Sequence, residues 1–414
     1  MTLSDELKWR GFVNQTTLDD VKRLDAQKFT FYWGVDPSAD SMTVGHLAMA
    51  MMAKHFIKHG HQAVLLVGGA TGMIGDPDGK AEERTLQTLD QITNNKNAIA
   101  RQYKQLFSGL PFKLVDNYDW FKNMHYLEFL RDVGKHVPMR QMLGREFVQS
   151  RLGDNGSGIS YAEFSYVLIQ AYDFLYMHRT MGVDLQICGS DQWGNSIAGI
   201  DLIRRETGDE THVWSGPLII NPQTGRKFGK TEAGAVWLDF AKTSVTDFYQ
   251  FWVNSDDAAV EHYLKIYTEL TQDDISSIMQ AQNADPSKRV AQFKLADEVT
   301  QLVHGAKAML LAKNITSYLN GSLAIARASS AEIKQLRAEI PYVKVKTGDS
   351  MIDILVASGL ASSKTNARQL LDSGSIYLNG TKTNQLVLSA TDLTEKRALI
   401  RRGKAFKDSA LIET

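Results

Sequence analysis

Residues 63–80 read AVLLVGGATGMIGDPDGK, five apolar residues running without a break into a loop that carries five glycines. A strand apolar on both faces fits only the interior of a covered sheet. Such strands are typically parallel, and a glycine-rich loop here would open from the carboxyl end. Two other stretches repeat the unit. Residues 29–36, FTFYWGVD, are β-branched and aromatic, break at Pro37, and lead into a helical stretch from Val44 to His59. Residues 183–195, VDLQICGSDQWGN, give an apolar strand, a Gly-Ser-Asp turn, and a helix through about Arg205 with Asp191 near its start. Three strand-loop-helix units predict an α/β fold built on a doubly wound, Rossmann-like parallel sheet, with its site at the carboxyl ends of the strands.

Working outward, residues 245–320 read as helical, with Phe248, Phe251, Tyr263, Ile266 and Tyr267 at roughly helical spacing, a stripe best assigned to core. The polar, alanine-rich stretch 321–347 has weak periodicity and is the best candidate for a linker. Beyond it, MIDILVASGL and SSKTNARQLLDSG read as short helices, the second started by Ser362 or Ser363. SIYLNGTK reads as a strand entering an Asn-Gly hairpin turn. The expected divisions are a catalytic domain over 1–230, a helical domain over 231–320, a linker over 321–347 and a small α+β module over 348–414.

Composition narrows the function classes. The 414 residues carry 43% hydrophobic and 22% charged content, ordinary for a soluble chain of two or three domains. The single cysteine, Cys188, cannot form an internal disulfide, and no Cys/His cluster has metal-ligand spacing; a reducing, cytoplasmic setting and no protein-bound metal are expected. The first ten residues are charged throughout, and the longest apolar stretch, Leu47 to Ala53, is too short to span a bilayer, so no membrane partner is expected. Net charge is −1, but residues 331–414 hold 13 Lys+Arg against 9 Asp+Glu, leaving 33 against 38 upstream. A basic tail on an acidic body fits nucleic acid and fits a solvated surface equally well.

Several constellations carry chemistry. Thr43-Val44-Gly45-His46 sets a Gly-His pair at a helix start, where backbone donors and the helix dipole favour phosphate; alone, it is more often a structural turn. The loop 68–80, with Arg84 following, contains neither GxxxxGK[ST] nor a spaced GxGxxG, which argues against kinases and dehydrogenases. Gly225-Arg226-Lys227-Phe228-Gly229-Lys230-Thr231 places two lysines on a glycine-containing loop, suited to clamping a polyphosphate; alone, it is more often a solvated turn. Tyr166, Gln170 and Asp173 fall at i, i+4 and i+7, one face of a helix. They make either a satisfied core network or a pocket for an amine and a hydroxyl.

Taken in order, Tyr-x-Gly-x-Asp-Pro with the Gly-His start, GGATGMIGDP, Tyr-x-x-x-Gln-x-x-Asp, GSDQWGN and KFGKT resemble the bacterial tyrosyl-tRNA synthetases along the whole chain. The C-terminal module is similar to the small α-L RNA-binding domain first known from a ribosomal protein. The resemblance implies activation of L-tyrosine with ATP to tyrosyl-adenylate, then transfer to tyrosine tRNA, by a homodimer with Tyr161 near its interface. Magnesium would arrive on ATP. A tryptophanyl-type class I ligase and a non-catalytic RNA-binding paralogue are the alternatives. Tyr32 and Asp173 argue against the first, His46 and Lys230 against the second.

Residue by residue, the resemblance implies that Thr43 to His46 stand on the HIGH signature, with Thr43 in place of its first histidine. Lys227 and Lys230, followed by Thr231, stand on the KMSKS lysines, and Lys80 and Arg84 near the phosphates. Tyr32 and Asp173 would hold the phenolic hydroxyl. Tyr166, Gln170 and Asp76 would face the amino group, and Gln192 the carboxylate. Gly34, Asp36, Ser38, Gly45, Gly189 and Asp191 would line the ATP side, which Trp33 would reshape. Lys364, Arg368, Arg401, Arg402 and Lys404 are the candidate tRNA-binding residues of the tail. Because the attacking carboxylate is already ionised, no general base is expected; positioning and charge stabilisation would supply the acceleration.

Overall fold

The computed structural model describes residues 1–77, 86–144, 146–152, 158–220, 225, 228–231, 234–403 and 408–414. The chain divides into two compact units, Met1–Thr243 with Ser255–Leu295, and Ser244–Asn254 with Ala296–Thr414. The single helical domain expected over 231–320 is thus shared: Ser255–Leu295 belongs to the first unit and the remainder mostly to the second.

The first unit is built on six strands: β1 (Gln15–Thr16), β2 (Thr30–Val35), β3 (Gln62–Val67), β4 (Lys113–Asp116), β5 (Leu185–Gly189) and β6 (His212–Gly216). Their order is β1-β6-β5-β2-β3-β4, parallel except for the antiparallel edge pair β1 and β6. Adjacent central strands diverge in sequence on either side of β2, the reversal that opens a crevice at the carboxyl edge. The three strands read from sequence are β2, β3 and β5. The β4 strand, KLVD, is too short and half-polar to announce itself.

Alternation along β2 distributes its aromatics between the two helical layers. Phe31 packs against Phe56 of the Val44–Lys58 helix, and Trp33 stands edge-on to Tyr103 of the Leu89–Leu106 helix at 5.3 Å. Tyr32 points the other way, onto Phe174 of the Tyr161–Met181 helix. Trp33, expected to reshape the ATP side, is held in an aromatic cluster on the face opposite Tyr32. Its ring is 4% exposed and fills core beside Tyr103 and Phe107, because the residue after a cleft-facing Tyr32 must face away. At the end of the same strand, Gly34 leaves the cleft-side face without a side chain.

The Leu3–Arg10 helix is tied down by a buried charge cluster. Glu6 accepts from Arg10 Nε at 2.9 Å and pairs with His55 Nδ1 at 3.1 Å. Arg10 also caps the carbonyls of Lys265, Thr268 and Leu270. The His55 hydrogen bond, with the charges of His55 and Arg10, outweighs burial and holds the Glu6 carboxyl down at about 2.

After a hairpin, β7 (Lys230–Thr231) and β8 (Gly234–Ala235), the second unit carries a five-stranded sheet. Its strands are β9 (Tyr342–Lys344), β10 (Ile376–Leu378), β11 (Thr381–Thr383), β12 (Arg397–Arg402) and β13 (Ser409–Glu413), in the order β11-β10-β12-β13-β9. The Asn-Gly turn appears as read: Asn379 at φ 48° and Gly380 at φ 84° join β10 to β11. Ser363 caps the Lys364–Asp372 helix by accepting from the Asn366 amide.

Residues 321–347 are more than a linker. They contain a helix, Ser330–Glu339, and β9, which pairs in parallel with β13. Ile333, Leu336 and Ile340 lie in a core with Leu399 and Leu411 of the sheet and Ile315 and Leu319 of the Ala306–Asn320 helix. Ala398, Ile400, Ala410 and Ile412 face the opposite core, with Met351, Leu355 and Leu371. Both sheet faces are thus buried. The missed signal was Ser329-x-x-Glu332, a capping box that the structure forms in both directions.

Candidate active site

At the floor of the crevice, Asp173 and Tyr32 are each 2% exposed. The Asp173 carboxylate accepts from Asn117 Nδ2 at 3.0 Å on one oxygen and from Trp120 Nε1 at 2.9 Å on the other. Each oxygen keeps a lone pair for a further donor. The Tyr32 hydroxyl is buried and has no hydrogen-bond partner among the described residues. Burial pushes Asp173 well above the usual carboxylate range, the two donors only partly offsetting it. Burial, with the charge of Asp173 added, likewise holds the Tyr32 phenol neutral. A donor without an acceptor beside a carboxylate with room for another donor is what a phenolic hydroxyl satisfies at once.

Asn117 connects this floor to the glycine loop after β3. Its second amide hydrogen goes to Thr71 Oγ1 at 3.0 Å, and its carbonyl oxygen accepts from the Ala70 amide. Thr71 donates to Asp36 at 2.6 Å, and the Tyr166 hydroxyl donates to the other Asp36 oxygen at 2.7 Å. The glycines here meet carboxylates: a Cβ at Gly68 would lie 2.1 Å from Asp36, and one at Gly69 2.2 Å from Asp116. Gln192 Nε2 donates to Asp76, and its carbonyl accepts from Asn195 at 3.1 Å. Asp36 and Asp76 both bear on Tyr166, whose phenol is raised first by burial and then by these charges. Gln170, one turn before Asp173, has a buried side-chain oxygen with no partner among the described residues. The structure thus connects Tyr32, Asp36, Asp76, Tyr166, Asp173 and Gln192 by hydrogen bonds or charge, with Gln170 on the helix that carries Tyr166 and Asp173. Gln192 contacts the acid Asp76.

At the helix start, His46 Nδ1 receives the Thr43 amide at 3.1 Å and lies 3.0 Å from the Thr43 hydroxyl. An amide can only donate, so Nδ1 accepts and Nε2 carries the ring proton. The lysine loop is seated on the same helix start. Gly229 adopts φ +84°, and a Cβ there would come within 2.2 Å of Val44 Cγ2. Val236 bridges the two, donating to the Gly229 carbonyl and accepting from the Val44 amide. Phe228 anchors the loop by stacking on Tyr263 at 4.2 Å. Lys80, Arg84, Lys227 and Lys404 lie outside the described residues, as do the side chains of Lys230 and Thr231. Gly45 sits in the first turn of this helix, and Ser38 donates its amide to the Asp36 carbonyl. Gly189 presses on Asp191, 2.6 Å from a hypothetical Cβ to Oδ1.

In the second unit, the basic candidates separate. Arg368 is exposed, and Lys364 pairs with Asp353 at 2.8 Å on the surface. Arg402 binds the Leu360 carbonyl and Asp408. Arg401 donates to the Leu319 carbonyl at 2.8 Å and covers the Tyr377 ring at 4.9 Å, which makes it a half-buried clamp within the fold rather than a free surface cation.

A doubly wound sheet with a Gly-His helix start and a two-lysine loop seated on it defines a class I tRNA synthetase: the family model described as tRNA synthetases class I (W and Y) matches residues 24–319. A second model, the tyrosine–tRNA ligase SYY-like C-terminal domain, matches residues 332–407 and so includes most of the former linker helix. The chain is 43% identical to the tyrosine–tRNA ligase of Geobacillus stearothermophilus and 42% to that of Levilactobacillus brevis, over 98% of each chain in both cases. Among solved structures, a C-terminally truncated mitochondrial tyrosyl-tRNA synthetase of Aspergillus nidulans superposes with a TM-score of 0.69 at 32% identity, covering 77% of this chain and 94% of that one. The chain belongs to the tyrosine–tRNA ligase family of enzymes.

Proposed function

We propose that the crevice binds L-tyrosine by its phenol between Tyr32 and Asp173, with the ammonium group facing Asp76, Tyr166 and Gln170. ATP would lie along Gly34, Asp36, Ser38, Gly45, Gly189 and Asp191. The observation that carries this reading is the unpartnered, buried Tyr32 hydroxyl beside an Asp173 carboxylate oriented by two neutral donors. A phenol O–H donates to Asp173 while its oxygen accepts from Tyr32. Phenylalanine leaves both unpaired, and tyrosyl-tRNA synthetases are the standard worked case of that kind of rejection. An indole N–H offers a donor but no acceptor, so tryptophan leaves the Tyr32 proton unmet.

In this reading the tyrosine carboxylate attacks the α-phosphate of ATP, whose magnesium it brings with it. His46 presents Nε2–H toward the phosphates, and Lys80, Arg84, Lys227 and Lys230, with Thr231, surround the departing pyrophosphate. Tyrosine then passes to the 3′ end of its tRNA, held in part by Lys364, Arg368, Arg402 and Lys404. Tyr126, Leu127, Met139, Leu152 and Tyr161 are exposed, Leu127 at 76%, and the Tyr126 and Tyr161 hydroxyls lie 3.4 Å apart, which supports a homodimer through the surface around Tyr161. None of the described helices is long and apolar enough to cross a membrane, and the proposed setting is the cytoplasm. The test is pyrophosphate exchange with tyrosine, phenylalanine and tryptophan, followed by tRNA charging. Exchange driven as well by tryptophan as by tyrosine would overturn the pocket assignment.

A further inference from the structure

Ser41 and Gln102 take part in none of the roles above, yet they join the start of the His46 helix to the chain that leaves the lysine loop. Ser41 is 3% exposed, and its hydroxyl has its bonding capacity filled. It donates to the Met42 carbonyl at 2.8 Å and accepts from the Asp239 amide at 3.1 Å and from Gln102 Nε2 at 2.9 Å. Gln102 Oε1 in turn accepts from the Met42 amide at 2.7 Å. That amide precedes the N-cap residue Thr43, so it lies outside the hydrogen-bond ladder of the helix and needs a partner from elsewhere. A single glutamine, with one acceptor and one donor, holds both residues that lead into the Val44–Lys58 helix.

After the β7–β8 hairpin, residues 236–239 run antiparallel to residues 41–44. The Val44 amide donates to the Val236 carbonyl at 3.1 Å, Thr43 lies opposite Trp237, and the Leu238 amide donates to the Met42 carbonyl at 2.9 Å. The Asp239 amide on Ser41 ends the series on one side, and the Val236 amide on the Gly229 carbonyl ends it on the other. So short a two-stranded ribbon is marginal on its own backbone bonds. The side chains that fix it come from a third element, the Leu89–Leu106 helix. Asn95, seven residues before Gln102 and so on the same face, donates to the Pro37 carbonyl at 3.0 Å, which braces the other end of the polar loop.

We infer that Gln102 and Ser41 are positioning residues for tyrosine activation: they lock the lysine loop in register with the start of the His46 helix, so that both meet one ATP in a fixed relation. The inference rests on the reading of residues 225–231 as the phosphate clamp. Among the described residues, the two side chains bond only to each other and to the backbone of Met42 and Asp239. Their loss therefore reaches the rate through geometry and leaves the tyrosine pocket in place. Displacements of about 1 Å in a reacting geometry cost up to about 100-fold, so a loosened brace is enough to be read in kcat.

The test uses the full-length enzyme with Gln102→Leu, which keeps the bulk and removes both bonds. It is expected to lower kcat for tyrosine-dependent pyrophosphate exchange about tenfold per folded molecule, with KM for tyrosine unchanged. Gln102→Glu, which keeps an acceptor for the Met42 amide, is expected to recover most of that rate. A cycle with Lys230→Ala separates the inference from the reading beneath it. If Gln102 acts through the lysine loop, the double variant is about as slow as Lys230→Ala alone. Losses that multiply instead would overturn the coupling, and so would a Gln102→Leu enzyme that loses tyrosine affinity as much as rate. A parental rate in Gln102→Leu, with Lys230→Ala slow, would overturn the positioning role and leave the phosphate-clamp reading standing. A parental rate in Lys230→Ala would overturn that reading and the inference with it.

Discussion

Two acids of the first unit, Glu6 partly buried and Asp173 fully buried, make an instructive contrast. Glu6 faces Arg10 and His55, and the pairing holds its carboxyl at about 2. Among the described residues Asp173 receives only neutral donors, Asn117 and Trp120, and burial drives its carboxyl upward. The first acid is saturated by groups of the fold. The second is oriented but left with unused acceptor capacity, next to a Tyr32 hydroxyl with none of its bonding met. A carboxylate paired with charged groups of the fold is saturated by them, whereas one oriented by neutral donors keeps acceptor capacity for a further donor.

The contrast breaks most visibly through Asp173→Ala, which is expected to lower kcat/KM for tyrosine by about 100-fold or more while leaving phenylalanine use much less changed. Pyrophosphate exchange with both amino acids measures it, and equal losses would make Asp173 a core residue like Glu6. Next comes Glu6→Gln. The folded pKa of Glu6 lies below its ordinary 4.5, so its contribution is complete above about pH 4.5 and fades as pH falls toward 2. The variant is expected to lose about 2 kcal/mol at pH 7 and to converge on the parent in acid, read from denaturant midpoints across pH. Activity per folded molecule should not move.

Asn117→Ala tests whether orientation of the carboxylate matters separately from its presence. It is expected to cost about tenfold in kcat/KM for tyrosine, with a smaller loss for phenylalanine. A loss shared equally by both amino acids would assign Asn117 to the loop alone. The smallest effects carry the same contrast into the tail. Arg401→Ala is expected to cost about 1 kcal/mol of stability without altering the salt dependence of tRNA binding, since its guanidinium holds the Leu319 carbonyl. Arg368→Ala is expected to leave the midpoint alone and reduce the salt slope by about one.

What the sequence made legible follows the same division. Strands β2, β3 and β5 were readable because burial on both faces forces unbroken apolar runs, and the order of short motifs singled out Tyr32, Asp36, Tyr166 and Asp173 as candidates. Asn117 and Trp120 were not, because the strand that delivers them, β4, is half-exposed and short. Only the pairing with β3 shows that it ends beside the pocket. Thr71 looked like one more loop residue among glycines until its bond to Asp36 gave it a position. In the tail, charge marked a basic surface but could not separate Arg401 from Arg368, since a clamp on a carbonyl and a solvated cation have the same composition. The helix at Ser330–Glu339 went unread because its apolar positions face a sheet partner more than fifty residues away.

The parallel pairing of β9 with β13 also sets an order of events during folding. Leu411 lies opposite Tyr342, 69 positions earlier, whereas Leu378 and Thr381 of the hairpin are three apart. Closing the longer loop costs more chain entropy and comes later, so the hairpin and its β12 neighbour are expected to assemble first and the β9 strand to dock last. Contacts made only at that final docking, such as Arg337 with Glu413, would then govern how slowly this sheet comes apart more than how quickly it forms.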